Sequence, residues 1–220
     1  MRRWGPTAIV VALLSVTAVA FATTERQKLE KTPFSVLEVT QAFSPKRAAA
    51  TIRLRLRRPH LVTVEILGPR ERPIATLVRE QRVEPGTAAF HWRATAPDGE
   101  YTPRVTLDAG REFTLPNPIR VDSVAPAARL VSYRPRVLRR SAKPKVAIAY
   151  RLSESAHVIV YVNDRRAVVG GSNNRRDNVD WFARRNGRRL RPGRYRLQLA
   201  AVDLAGNIGR RTAVFVVRIR

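Results

Sequence analysis

The chain contains no cysteine. That excludes a disulfide framework, a thiolate metal site and a thiol nucleophile. It leaves the compartment open, because many exported bacterial proteins do without disulfides. Histidine is nearly as scarce, with three in 220 residues. His60, His91 and His157 belong to no Ser-His-Asp set, and neither an HExxH run nor a phosphate-loop glycine pattern occurs. Each histidine therefore reads as structural. The expectation is a protein that is not an enzyme and needs no cofactor. Acidic residues are also few, 17 against 42 basic ones, for a net charge of +25. Asp164, Asp177, Asp180 and Asp203 lack the alternating spacing of a calcium loop, and the nearby arginines of this basic half oppose a cation, which argues against a bound metal. Lysine is rare among the cations: Lys28, Lys31, Lys46, Lys143 and Lys145 leave 37 arginines. An arginine fork suits phosphate and carboxylate, whereas lysine offers a point charge. The same bias also follows from a GC-rich genome, and both readings stand.

Long hydrophobic runs are absent except at the N-terminus. Arg2 and Arg3 precede an uncharged stretch in which Ala8 to Ala22 is apolar-leaning over 15 residues, ending in Ala20-Phe21-Ala22. This fits a signal peptide cleaved after Ala22. Taken from Trp4, the run is 19 residues, about 28 Å as a helix and close to the ~30 Å hydrocarbon core of a bilayer. A single hydrophobic helix anchoring the chain is therefore the equal alternative. A buried helix of the folded body is a third. With Arg2 and Arg3 retained inside, signal and anchor both place the body outside the cytoplasm. The expected localisation is extracytoplasmic, on the inner or plasma membrane or secreted.

Beyond residue 31 no 3.6-residue stripe recurs, which argues against a helical fold. Alternation is present instead. In TIRLRLR, Ile52, Leu54 and Leu56 alternate with Arg53, Arg55 and Arg57, giving one buried and one wet face. RYRLQLAAVD groups Tyr195, Leu197, Leu199 and Ala201, and TAVFVVRIR groups Ala213, Phe215, Val217 and Ile219. The pattern then repeats. TIRLRLRRPHLVTVEI (51–66) aligns with AIAYRLSESAHVIVYV (147–162) at a shift of 96, matching Ile52 to Ile148, Leu54 to Tyr150 and Leu56 to Leu152. Trp92 matches Trp181, and Asp98-Gly99-Glu100-Tyr101 matches Pro192-Gly193-Arg194-Tyr195. Two copies of about 90 residues, rich in short strands and turns, predict a pair of sandwiches of roughly seven strands each. The divisions are 1–31, 32–123 and 125–220, with the stiff Ala125-Pro126-Ala127 at the join. Gly99 and Gly193 are expected to supply a turn, and each following tyrosine to bury its ring and return its hydroxyl to the backbone.

These residues resemble the immunoglobulin-like domains of the flagellar hook-capping (FlgD-type) family. The resemblance rests on Phe43-Ser44-Pro45, Trp92 and Asp98-Gly99-Glu100-Tyr101 in the first copy. In the second it rests on Trp181, Pro192-Gly193-Arg194-Tyr195 and Asp203-Leu204-Ala205-Gly206-Asn207. Lys46-Arg47-Ala48-Ala49, Arg93-Ala94 and Phe182-Ala183 depart from the pattern. The resemblance implies an all-β chain of two tandem immunoglobulin-like or fibronectin-like sandwiches and a structural or binding role at the cell surface. That module serves many extracellular proteins, so it implies no single task.

Charge separates the copies. Residues 32–123 hold 14 basic and 10 acidic residues, net +4, while 125–220 hold 23 and 5, net +18. Tyr101 follows Trp92 by nine positions and Tyr195 follows Trp181 by fourteen. The extra residues are an arginine-rich connection carrying Arg184, Arg185, Arg188, Arg189, Arg191 and Arg194. One reading is a site for an anionic cell-envelope polymer or lipid headgroups; the other is a solvated basic surface. A cell-envelope protein is the other partner considered. Nucleic acid is disfavoured, because no aromatic platform interleaves the arginines.

Overall fold

The computed structural model describes residues 33–108, 110–139, 144–171, 174–185 and 187–220. The N-terminal segment, with the hydrophobic helix and the cleavage point expected of it, lies outside them. Among the described residues no helix is long and apolar enough to cross a membrane. Their regular structure is β throughout, apart from one 3-10 turn at Pro69–Glu71.

The first half contains β1 (Phe34–Val39), β2 (Ala42–Phe43), β3 (Ala50–Leu56), β4 (His60–Leu67), β5 (Pro73–Val83), β6 (Gly86–Trp92), β7 (Gly99–Leu107), β8 (Arg111–Thr114) and β9 (Ile119–Val121). One sheet runs β1-β3-β6 and the other β2-β9-β7-β4-β5, with β8 added on β7. Period-two patterning explains the layers. In β3, Ala50, Ile52, Leu54 and Leu56 are buried while Arg53 and Arg55 are exposed. β4 and β7 bury Val62, Val64, Ile66, Tyr101, Val105 and Leu107 on their inner face. These faces meet in one apolar cluster. Each fully buried side chain of this size contributes roughly 1.5–3 kcal/mol.

The second half repeats the plan with β10 (Ala128–Arg134), β11 (Val137–Leu138), β12 (Val146–Leu152), β13 (His157–Val162), β14 (Arg165–Gly170), β15 (Arg176–Trp181), β16 (Arg184–Arg185), β17 (Arg188–Arg189), β18 (Gly193–Val202) and β19 (Phe215–Ile219). Its sheets are β10-β12-β15 and β11-β19-β18-β13-β14, with β16 and β17 forming a separate two-stranded ribbon. Equivalence extends to register. Trp92 lies opposite Ala50, and Trp181 opposite Val146. β2 runs parallel to β9, and β11 parallel to β19. A three-stranded sheet facing a larger one, with a short parallel strand on its last strand, is an immunoglobulin-like arrangement. The strands exceed seven per half because the leading strand splits in two, and because β8 joins the first half and the ribbon the second.

Two expectations need correction. Gly193 adopts φ 156°, but Gly99 has no left-handed φ, so only the second turn demands glycine. Ala213 is exposed and precedes β19 rather than sharing its buried face.

The join is tied down by the second half. Gly206 (φ 82°) closes a turn in which the Asn207 amide donates to Asp203 Oδ1 at 2.8 Å. The buried Asn207 side chain donates to the Asp122 carbonyl at 2.8 Å and to Asp203 Oδ2 at 2.9 Å. Gly209 passes so close to the linker that a Cβ there would run into the Pro126 carbonyl oxygen. Ala127 and Ser153 exchange two hydrogen bonds: the Ala127 amide donates to Ser153 Oγ at 2.9 Å and the Ser153 amide to the Ala127 carbonyl at 3.0 Å.

Candidate anion-binding site

The arginine-rich connection is an ordered ribbon. Arg184 pairs with Arg189 and Arg185 with Arg188 across β16 and β17. The Leu190 amide donates to the Ala183 carbonyl at 2.9 Å, closing its base, and Ala183 takes a left-handed φ of 50°. At the tip Gly187 has φ 77°, and Arg184 Nη1 donates to its carbonyl at 3.1 Å. Leu190 packs on the sandwich core, so the ribbon is anchored by an apolar contact. Arg184, Arg188, Arg189, Arg191 and Arg194 are exposed. The side chain of Arg185 is outside the described set. Arg194 belongs to β18 rather than to the connection.

The ribbon stands over the Trp–Tyr corner. Tyr195 Oη donates to the Arg191 carbonyl at 2.8 Å, as Tyr101 Oη donates to Pro97 at 2.7 Å. Each hydroxyl thus reaches four residues back along the chain. The rings differ. Tyr101 is 5% exposed and packs edge-on to Trp92 at 5.2 Å, with Phe43 against Trp92 at 5.6 Å. Tyr195 is only half-buried and sits 6.0 Å from Trp181. Trp181 itself is 1% exposed, and its indole N–H has no acceptor among the described residues. An unsatisfied buried donor of this kind costs about 1–3 kcal/mol.

A cleft of about 560 Å³ opens at this corner, lined by Asn163, Arg165, Arg166, Arg184, Trp181 and Tyr195, with Val162, Ala167 and Leu190 as apolar wall. Sequence reasoning missed Arg165 and Arg166. The available signal was Asn163-Asp164 between two apolar runs, a hairpin turn pair. Both residues take positive φ, 46° and 64°. Asn163 is also fixed to β18, where its Oδ1 accepts from the Arg196 amide at 2.9 Å.

Electrostatically, several arginines of the first half are paired with carboxylates. Arg53 pairs with Glu38 at 2.8 Å, Arg104 with Glu65 at 2.7 Å and Glu112 at 3.3 Å, and Arg82 with Glu84 at 2.9 Å. In the second half Lys145 pairs with Asp180 and Arg211 with Asp164. Arg211 also lies over the Tyr161 ring, 3.9 Å from its centroid. Among the described residues, Arg165, Arg166, Arg188, Arg191 and Arg194 have no carboxylate within ion-pairing distance.

The remaining candidates hold structural contacts. His60 Nδ1 lies 2.6 Å from Asp108 Oδ2, His91 Nδ1 3.2 Å from Thr51 Oγ1, and His157 Nδ1 3.3 Å from the Gly171 carbonyl. The His60 hydrogen bond, then the Leu61 amide, holds the Asp108 carboxyl below the usual carboxylate range. Near the join, burial and the neighbouring Asp122 and Asp203 carboxylates push the Glu154 carboxyl up. The four aspartates considered for calcium do not converge: Asp164 and Asp180 are in the ion pairs above, Asp203 holds Asn207, and Asp177 Oδ1 accepts from the Asn178 amide at 2.7 Å.

No family model matches the chain, and no curated protein matches it. Several solved structures align with the chain. Fibronectin(III)-like modules of CbhA from Clostridium thermocellum align at 14% identity and TM-score 0.46, over 84% of this chain and 92% of that one. The FN1-FN3 domains of chicken CNTN1 align at 12% identity and TM-score 0.45, over 84% and 66%. The human OSCAR ligand-binding domain aligns at 14% identity and TM-score 0.36, over 84% and 96%. The layered all-β architecture itself rests on the strand pairing of the two halves.

Proposed function

We propose that this chain is an exported, non-enzymatic binding module of the cell envelope, built of two FlgD-type immunoglobulin-like domains at 32–123 and 125–220. Its second domain engages an anionic envelope polymer. The observation carrying this reading is the ribbon: exposed arginines on an ordered, core-anchored platform, with Arg188, Arg191 and Arg194 left without carboxylate partners. Crowding like charges is unfavourable within a Debye length of ~10 Å. The first half makes the same turn with no such ribbon, so the fold alone does not require it. An anionic partner removes the repulsion and accepts the guanidinium forks. Lipid headgroups are the second reading, favoured if the N-terminal segment holds the domain near a membrane.

The test uses the full chain in a non-ionic detergent, co-sedimented with a soluble polyanion, polygalacturonate, and with neutral dextran as control. Binding to the polyanion is expected, weakening by at least about tenfold between 50 and 200 mM salt. The variant Arg188→Ser/Arg189→Ser/Arg191→Ser/Arg194→Ser should fold normally and lose most of it. Equal binding by parent and variant at low salt would leave the ribbon a solvated surface.

A further inference from the structure

The cleft beneath the ribbon differs in chemistry from the ribbon. The ribbon is exposed charge. The cleft is a concavity of about 560 Å³ with an apolar wall of Val162, Ala167 and Leu190, one accessible aromatic face and three guanidinium groups. This lies within the usual size of small-ligand pockets, roughly 300–1,000 Å³.

Resting on the anionic-polymer reading above, we propose that this cleft binds one acidic sugar unit of the polymer, a uronate-type pyranose. Its carboxylate would lie between Arg165, Arg166 and Arg184, and its ring against Tyr195. Two features select this chemistry. Arg165 and Arg166 have no carboxylate partner among the described residues, so their forks are open to a planar oxyanion that accepts two hydrogen bonds at once. Tyr195 is half-buried with its hydroxyl committed to Arg191, which fixes the ring and leaves its face rather than its polar tip to a ligand. The C–H edges of a pyranose carry partial positive charge and suit the negative face of an aromatic ring. Trp181 also lines the cleft, with its indole buried beside Tyr195 at 6.0 Å, so a ligand on Tyr195 alters the surroundings of its emission. A bare phosphate would satisfy the arginines but would leave the aromatic and apolar wall unused.

The corresponding corner of the first half is closed. Phe43 and Tyr101 close on Trp92 there, and the Trp92 ring leaves no buried orphan donor.

The experiment titrates the full chain in non-ionic detergent with trigalacturonate, with the neutral galactose trisaccharide and with inorganic phosphate. Calorimetry and tryptophan emission give the readout. Trigalacturonate should bind and shift the emission, and the other two should bind at least about tenfold more weakly. Arg165→Ser/Arg166→Ser should weaken trigalacturonate about tenfold. Trp181→Phe, which keeps a ring and removes the indole beside Tyr195, should abolish the emission shift. Should Trp181→Phe fail to fold, the arginine pair on its solvent-facing hairpin decides alone. The four-serine variant, none of whose positions lines the cleft, should fail to sediment with polymer while keeping more of the trisaccharide binding than Arg165→Ser/Arg166→Ser does. Equal binding of the neutral trisaccharide or of phosphate, or an unaffected arginine-pair variant, overturns the proposal. Trisaccharide binding without polymer sedimentation of the parent overturns only the ribbon reading; polymer sedimentation without trisaccharide binding overturns only the cleft.

Discussion

In the first sandwich Tyr101 follows Trp92 by nine positions, and Phe43, Trp92 and Tyr101 close on one another at 5.6 and 5.2 Å. In the second, Tyr195 follows Trp181 by fourteen, the rings lie 6.0 Å apart, and Leu138 takes the place of Phe43 on the short parallel strand. Five added residues and one smaller side chain turn a closed aromatic corner into an open one. The scaffold beneath hardly changes: β3 and β12 bury the same alternate positions and β4 and β13 nearly so. The corner between the sheets therefore changes while the buried faces of the layers stay the same.

The largest expected effect probes whether the corners differ in closure. Trp92→Ala and Trp181→Ala should each cost on the order of 3–5 kcal/mol. Trp92→Ala should be the more costly, because its hole is sealed by Phe43 and Tyr101, whereas the hole at Trp181 meets a cleft that water can enter. Hydrogen-exchange protection of β3 amides in one variant and β12 amides in the other reads the two losses separately. Equal losses would contradict the open corner.

A smaller effect concerns how far the halves are independent. Asn207→Ala strips the Asp122 carbonyl of its donor, at a cost of about 1–3 kcal/mol. Gly209→Ala forces a Cβ into the Pro126 carbonyl, so the linker must move. Both should speed proteolysis between residues 122 and 127 while β3 protection stays at the parent level. Unchanged cleavage would mean that the linker is held by other contacts.

The subtlest test uses equivalent core positions. Leu54 in the first half corresponds to Tyr150 in the second, whose buried hydroxyl lacks a partner. Burial, then Asp177, pushes its pKa from 10 up to about 12. The folded chain therefore keeps a proton that the unfolded chain releases, and stability of the second half should fall as pH rises from 10 to 12. Tyr150→Phe should flatten that fall and cost little near neutral pH. Denaturation midpoints at pH 8 and 11 check both statements; a parental midpoint that does not drop faster than the variant's would refute the assignment.

The alternation of TIRLRLR and its 96-residue echo in AIAYRLS announced the buried faces of β3 and β12, because a period of two leaves a strand only one face to bury. The arginine-rich connection was legible as added length between Trp181 and Tyr195. Its folding into a ribbon was not read, although Asn186-Gly187 between Arg185 and Arg188 is the two-residue pair that favours a tight hairpin; what hides it is the absence of flanking apolar alternation. Arg194 was grouped with the connection by proximity, yet the strand begins one residue before it.

The sequence by itself determined the strand pattern, the repeat, the tyrosine turns and the charge imbalance of +4 against +18, for each of these is a local or additive property of neighbouring residues. Only the tertiary structure decided that Arg165 and Arg166 stand beside Trp181 and Tyr195, that Trp181 keeps an unpaired N–H, and that Asn207 grips the Asp122 carbonyl 85 residues away. Those juxtapositions arise from antiparallel pairing and sheet packing between distant segments, which single-chain periodicity does not encode.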